Sequence, residues 1–412
     1  QDYAGDTLLY VRSLDAGVKG YNPLTGVVRL GDVRLDGAKF YLSQDSTGTM
    51  NLKYVTEKLK SDKPKRNRKP LRLRAGSLRV TDTRFKLRKY VVPDKPYGVN
   101  FADLDVRGID MDVQAVRMHG DSIGASLQSL AFAEKSGFVC RRLSASRVTV
   151  AGSGMTLDDL TVVDPYSDIR MERLRFDYPA WKAYKDFVRQ VEMHATLKPS
   201  LVSFRTIACF APSLREWKSV LDVKGTVDGT VSDLAGDLTR VATRDTELAL
   251  KFRIDGLPDI RETVFTFDIP ELQTTAPDID YLYGDITGKS LGKTAATLER
   301  MGRIRLEGRF HGLLSNFTAD GSLSGEPGGS RFDVRLQPDT MGLTRMNGRV
   351  WFDRFGLGEL LGSPKLGEVT VTAAVDGFLN RDSLALNTQA TVAQLRYNGY
   401  DYRDIDLDGE VR

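Results

Sequence analysis

The stretch GSLRVTDTRFKL (residues 76–87) repeats the pattern of GDVRLDGAKFYL (residues 31–42), 45 positions earlier. Both read Gly, any residue, aliphatic, Arg, aliphatic, three variable residues, a basic residue, Phe, any residue, Leu. In the second copy Leu78 and Val80 alternate with Arg79 and Thr81. After a break, Phe85 and Leu87 alternate with Arg84 and Lys86. Successive side chains of a strand point to opposite faces, so this alternation predicts strands with one apolar and one charged face. The break reads as a turn, which makes each copy a strand–turn–strand unit. Val33, Leu35, Phe40 and Leu42 occupy the equivalent apolar positions of the first copy.

The same writing recurs at FADLDVRGIDMDV (101–113), SASRVTVAGSGMTL (144–157) and SDIRMERLRFDY (167–178). Beyond about residue 220 it changes form. LDVKGTVDGTV (221–231), IRLEGRFHGLL (304–314) and VTVTAAVDGFL (369–379) share alternate aliphatics ending near a Gly, and further strand pairs follow. The copies recur roughly every 65 to 85 residues, which predicts a supersecondary repeat. Short helices are expected over 51–60 (Leu52, Val55, Leu59), 179–191 (Trp181, Tyr184, Val188) and 291–302 (Leu291, Ala295, Leu298). Three helices are too few to cover the implied sheet surface, which argues against α/β layering.

Of 412 residues, 59 are basic and 55 acidic, a balance that gives no footprint for nucleic acid. The basic run 60–70 reads as a solvated, proline-bounded loop, with anionic headgroups or nucleic acid as the alternative contacts. Cys140 and Cys209 stand alone, with no metal-ligand spacing, and read as inert buried thiols or one disulfide. No run of 18 apolar residues is present. The opening QDYAGDTLLYV lacks Met and a signal peptide, and the chain stops within alternating DIDLDGEVR. Both ends therefore read as cuts within a longer protein, and any anchor would lie outside them.

Chemical motifs are sparse. GDSIG (120–124) matches G-x-S-x-G, but the alternating SLQSLAFAE after it predicts a strand where a nucleophile elbow needs a helix. Ser122 is therefore not read as a nucleophile. DIDLDG (404–409) imitates a calcium loop, yet its closing acid would fall beyond Arg412 and Ile405 and Leu407 alternate with the acids. A strand with one acidic face accounts for it. No Walker loop, zinc-helix motif or dinucleotide fingerprint is found, and neither catalysis nor a cofactor is expected. Alternation alone leaves two architectures open. One is a series of sandwiches whose sheets cover each other; the other is a bent sheet forming an open groove lined by apolar side chains.

GDTLLYVRSLDAGV (5–18) followed by VRLGDVRLDGAKFYLSQDSTGTMNLKYVTEKLK (28–60) resembles a first groove repeat of the TamB family, within the AsmA-like repeating β-groove superfamily. LAFAEKSGFVCRRLSAS (130–146), FAPSL (210–214), GLPD (256–259), GRFHGLLSNFTADGSLSG (308–325) and YNGYDYRDIDLDGEV (397–411) resemble further phrases of that family, in the same order. The resemblance implies a mainly β protein: an elongated, strongly curved antiparallel or mixed sheet forming an open hydrophobic groove, with a few short helices. It implies a periplasmic protein, anchored in the inner membrane, whose groove carries phospholipid acyl chains toward the outer membrane. The partners it implies are phospholipid and an Omp85-type outer-membrane barrel, the latter met through regions beyond this sequence. Groove segments are expected over 1–62, 71–220 and 221–412, the last divided after 303 and 368, with 63–70 as a loop.

On this expectation the alternation assigns groove lining to Val33, Leu35, Phe40, Leu42, Leu78, Val80, Phe85, Leu87, Leu306, Phe310, Val371 and Val375. A scaffold that binds unfolded barrel strands at a sheet edge, and a carbohydrate-binding or adhesive sandwich, remain the other functional readings.

Overall fold

The computed structural model describes residues 8–53, 72–90, 92–338, 344–379 and 384–411. The helix expected over 51–60 lies, past Lys53, outside the described residues, as does the basic loop 60–70. The described chain is mainly β, with 22 strands and a few short helices. It divides into two units, one of residues 1–186 and 190–220, the other of residues 187–189 and 221–412.

In the first unit, β1 (Leu9–Tyr10), β2 (Ser13–Asn22), β3 (Val27–Asp36) and β4 (Lys39–Gln44) lie beside the 18-residue β5 (Arg72–Lys89). β3 and then β4 pair with β5 in parallel, each residue facing the one 45 positions later. The two copies of the repeated phrase therefore run side by side in the same direction. Ser77 Oγ donates to Asp32 (2.7 Å) and Thr81 Oγ1 to Asp36 (2.8 Å), again between equivalent positions.

The expected turn is absent from the second copy. Residues 76–87 belong to one strand, and the break is a register shift between Val80 and Phe85 in which Asp82 adopts φ 46°. In the first copy the break is the bend at Gly37 and Ala38 between β3 and β4. Arg12 packs where a Cβ on Gly37 would stand and pairs with Asp36 and Asp82 beside the break in both copies. A bulge and a tight turn both insert an odd step into an alternating pattern, which is why the sequence alone suggested a turn.

From β5 the sheet continues as an antiparallel meander through β6 (Asp103–His119), β7 (Ser122–Glu134), β8 (Val139–Ala151), β9 (Gly154–Val163), β10 (Asp168–Asp177) and β11 (Glu192–Ser203). The shifts recur: the apolar residues of β6 are Leu104, Val106, Ile109, Met111, Val113, Val116 and Met118. Each three-residue step brackets a residue at positive φ, Gly108 or Ala115. One extra residue restores the phase, so apolar side chains stay on one face while the strand twists more strongly.

The second unit is a meander in sequence order. It runs β12 (Val220–Thr230), β13 (Asp233–Thr243), β14 (Thr246–Asp255), β15 (Val264–Thr275), β16 (Arg303–Leu313), β17 (Asn316–Gly325), β18 (Gly328–Pro338), β19 (Thr344–Gly356), β20 (Leu366–Leu379), β21 (Leu384–Tyr397) and β22 (Tyr400–Val411). β12 and β22 do not pair, so this sheet is not closed. Helices interrupt it after every fourth strand: Ala276–Thr287 and Lys293–Glu299 precede β16, and Leu357–Leu361 precedes β20. The phrases at 221–231, 304–314 and 369–379 fall on β12, β16 and β20, so the repeat is four strands and a helical connection.

The helices differ from expectation at their edges. The one expected over 179–191 is a 3₁₀ turn, Trp181–Asp186, running into a single turn, Phe187–Gln190. That expected over 291–302 is Lys293–Glu299. Ala276–Thr287 was not anticipated, although its signals are present: Pro277 in the first turn and Gly288 (φ 71°) closing the helix.

Among the buried carboxylates of the first unit is Asp105 on β6, whose side chain is 7% exposed. Its carboxylate accepts from Arg84 Nε (2.8 Å) and Nη2 (2.6 Å) and from Arg107 Nη2 (2.6 Å). Arg84, and after it Arg107, hold the carboxyl well below the usual carboxylate range against the opposing effect of burial. A depressed folded-state pKa stabilises the fold above the unfolded value near ~4, and that contribution is lost as pH falls below it. Asp105→Asn is expected to lower the stability of the first unit by about 2–3 kcal/mol at pH 7, less than a fully buried pair because both arginines reach solvent. The difference from wild type should shrink between pH 4 and pH 2. Urea unfolding at pH 7 and pH 2.5 measures it, and an equal penalty at both would contradict the assignment.

Candidate functional site: the apolar face of each sheet

In the first unit the expected lining residues meet as four cross-strand pairs: Val33–Leu78, Leu35–Val80, Phe40–Phe85 and Leu42–Leu87. The Phe40 and Phe85 rings are 6.0 Å apart. The pairs continue on β6 with Val113, Met111, Val106 and Leu104. Val80 is 6% exposed and therefore belongs to the packed interior of this face, whereas the other seven are half-buried. Further along the sheet, Ala145, Leu157 and Leu160 form a buried cluster. Leu127, Leu143, Val148, Met155, Val162, Met171, Leu174 and Phe176 pack against it.

In the second unit the four expected residues lie in two rows that cross the strands of the same face. One row runs Leu272, Leu306, Leu323, Ser330, Phe352, Val371, Val392 and Ile405. The other runs Phe252, Phe267, Phe310, Ala319, Val334, Gly348, Val375 and Thr388. Phe267, Phe310 and Phe317 continue ring to ring at 5.8 and 4.7 Å. Between the rows Gly308 faces Gly321. A Cβ on Gly321 would strike the Glu307 carbonyl oxygen, so only glycine permits this backbone approach.

The two rows differ in cover. Met301, Ile304, Phe355, Val369 and Val392 form a buried cluster against which Ile279, Leu298, Leu357 and Leu360 of the helical connections pack. Leu323, Phe352, Val371, Leu395 and Ile405 pack there too, so the Leu306–Val371 row borders a closed margin. Phe310, Val334 and Val375 of the other row are half-buried and are not part of that cluster.

The opposite face is ionic. Arg309 pairs with Asp320 (2.8 Å), Arg345 with Asp376 (2.9 Å) and Arg253 with Asp233 (2.7 Å) across neighbouring strands. Cavities of about 450 and 780 Å³ in this unit open among such groups. Arg240, Arg244, Glu247 and Gln273 border the first, and Arg309, Asp320, Arg331 and Asp333 the second. The apolar face is lined chiefly by aliphatic and aromatic side chains. It offers area without directional hydrogen bonds, a surface on which an apolar chain gains by contact and nothing fixes its position.

Other sequence candidates take structural places. Ser122 opens β7 straight after the β6–β7 turn, so GDSIG is a hairpin and not a strand-to-helix elbow. DIDLDG lies within β22, with Ile405 facing Val392 and Leu407 facing Ala390. Cys140 and Cys209 are free thiols, and burial pushes Cys140 up to about 11. Among the described residues no group of His, Cys, Asp or Glu can hold a metal ion. The lining residues that sequence reading missed, such as Phe252, Phe267 and Val334, carry the same alternation in ALKFRID, VFTFDI and RFDVRL. Those of β7 to β10 were harder to see because three-residue steps break the period, as at Leu157–Leu160 and Met171–Leu174.

Gly321→Val places a branched side chain against the β16 backbone and is expected to destabilise the second unit by about 2 kcal/mol. The neighbouring Ser322→Val, on the exposed charged face, is expected to cost under about 0.5 kcal/mol. Urea unfolding followed by fluorescence of Trp351, the tryptophan of this unit, reports the difference.

No protein-family model, no curated protein and no solved structure matches the chain.

Proposed function

We propose that the chain is a lipid-transfer module whose apolar sheet faces hold phospholipid acyl chains. The observation that carries this reading is the Phe310–Val375 row of the second unit. It crosses eight successive strands, from β14 to β21, as apolar or small residues with one Thr388, and its Phe310, Val334 and Val375 lie outside the cluster on which the helical connections pack. Burying a CH₂ group yields roughly 0.8 kcal/mol, so a 16-carbon chain along such a row gains on the order of 10 kcal/mol. Because the strands present apolar or small groups with few directional contacts, displacement along the row exchanges one set of apolar contacts for another. The resemblance to the TamB family supports the same reading and adds its setting: a periplasmic protein tethered to the inner membrane that passes phospholipid outward. Catalysis has no part in it.

A second reading draws on β22. Its inner edge is bonded to β21, and no strand among the described residues pairs with its outer edge. Such an edge can accept an extended polypeptide by β-augmentation, as a scaffold for outer-membrane barrel strands would.

The test is mass spectrometry of the purified chain for bound phospholipid. We expect lipid to copurify, and Phe310→Glu combined with Val375→Glu to lower its amount at least tenfold with the circular dichroism spectrum unchanged. Val80 is unsuitable for this purpose, since a charge at so buried a position would disturb the fold itself. Undiminished lipid in the double variant would overturn the groove reading, and copurifying polypeptide in place of lipid would favour the edge of β22.

A further inference from the structure

We infer that the first unit carries a binding site for a phosphoryl anion on its charged face. The site does not rest on the groove reading, because its side chains alternate with the apolar ones and belong to the other face of the strands. Arg29 on β3 faces Arg74 on β5, and Arg74 faces Arg117 on β6. Nearer the strand ends Arg72 faces His119, and His119 faces Ser122. Like charges directly opposite each other destabilise a sheet. Arg34 faces Arg79 and Lys39 faces Arg84 in the same way, but there an aspartate of β6 answers the arginine: Asp112 pairs with Arg79 (3.0 Å) and Asp105 with Arg84 (2.6 Å). Among the described residues no carboxylate pairs with Arg29, Arg72, Arg74 or Arg117.

These groups surround space. Arg72, Arg74, Arg117, His119, Ser122 and Gly124 line a cavity of about 410 Å³, completed by Val27, Leu73 and Met118, with no acidic residue among the described residues of its wall. Arg117 faces Gly124, where no atom lies within 4 Å of the position a Cβ would take, so the floor beside the guanidinium is bare backbone. Planar guanidinium groups with several donors each suit a tetrahedral oxyanion, which offers more acceptors than a carboxylate can. The Ser122 hydroxyl supplies one further donor, and this gives the GDSIG segment a role that nucleophilic chemistry does not. The wall leaves room for an ester substituent, so the ligand is a phosphate group, free or carried on a lipid headgroup.

Titration calorimetry with inorganic phosphate, at ionic strength held constant with sodium chloride, tests the site, because general screening is then equal throughout. We expect saturable binding by the wild-type chain and at least a tenfold weaker affinity for Arg74→Gln combined with Arg117→Gln. That variant should melt no lower than wild type in chloride, since it removes a like-charge contact. It should also lose the rise in melting temperature that phosphate gives the wild type. Arg331→Gln with Arg335→Gln, on the charged face of the second unit, serves as the control. Flotation with phosphatidylglycerol and phosphatidylcholine vesicles distinguishes the source. Retention on phosphatidylglycerol alone, lost in the double variant, assigns the site to an anionic headgroup, and phosphate binding without retention assigns it to a soluble phosphoryl group. Absence of phosphate binding, equal binding by the double variant, or an equal loss in the control would overturn the proposal.

Discussion

Everything in this structure depends on keeping apolar side chains on one face of strands that also bend. A one-residue slip in a strand sends every following side chain to the wrong face. Strands of 13 to 18 residues, such as β5, β6, β7 and β8, accumulate twist, and the chain corrects for it with bulges. Gly108, Ala115 and Asp159 sit at positive φ within strands where apolar positions resume after a step of three, and Asp82 does so at the register shift of β5. The non-glycine members of that set carry a conformational cost, offset by holding a whole apolar face in phase.

This constraint explains which parts of the fold could be read in the sequence. Strand identity was legible wherever alternation ran unbroken, as in β12, β16, β17 and β20. The 45-residue repeat was legible as a pattern, but its meaning was not: parallel pairing in register is a long-range fact that no local period encodes. A bulge and a turn leave the same trace in an alternating text, so the kink at Asp82 read as a reversal of the chain. Ala276–Thr287 went unseen because its apolar residues, Ile279 and Ile286 among them, alternate with tyrosines and aspartates in a strand-rich context. The rows of the second unit were visible at Leu306, Phe310, Val371 and Val375, since the two strands that carry them, β16 and β20, share a spelling. The cover given by the helices, which separates one row from the other, depends on packing that spacing does not reveal.

The two faces obey different rules. On the apolar face aliphatic, aromatic and small groups follow one another, and the Gly308–Gly321 pair keeps side-chain bulk out where backbones approach. On the charged face Arg79, Arg173, Arg253, Arg309, Arg345 and Arg396 each meet an aspartate across the strand gap, and each such exposed pair adds little stability. Their main effect is negative: a face dressed in matched charge does not join another sheet, which leaves the apolar face as the broad surface with free energy to gain from apolar contact.

Against that matched background the Arg29–Arg74–Arg117 row is an exception that the fold does not require. Replacing the middle arginine by any neutral strand former would relieve repulsion without touching the apolar side, because Leu73 and Ala75 carry the packing there. The neighbouring rows show that the chain supplies aspartates at equivalent places, as it does opposite Arg79 and Arg173. A repulsive row bordering an open cavity, with a hydroxyl and bare backbone in its wall, is destabilising when empty and stabilised by an anion. The same sheet thus presents an undifferentiated apolar surface on one side and, on the other, a localised concentration of positive charge whose energy depends on what occupies it.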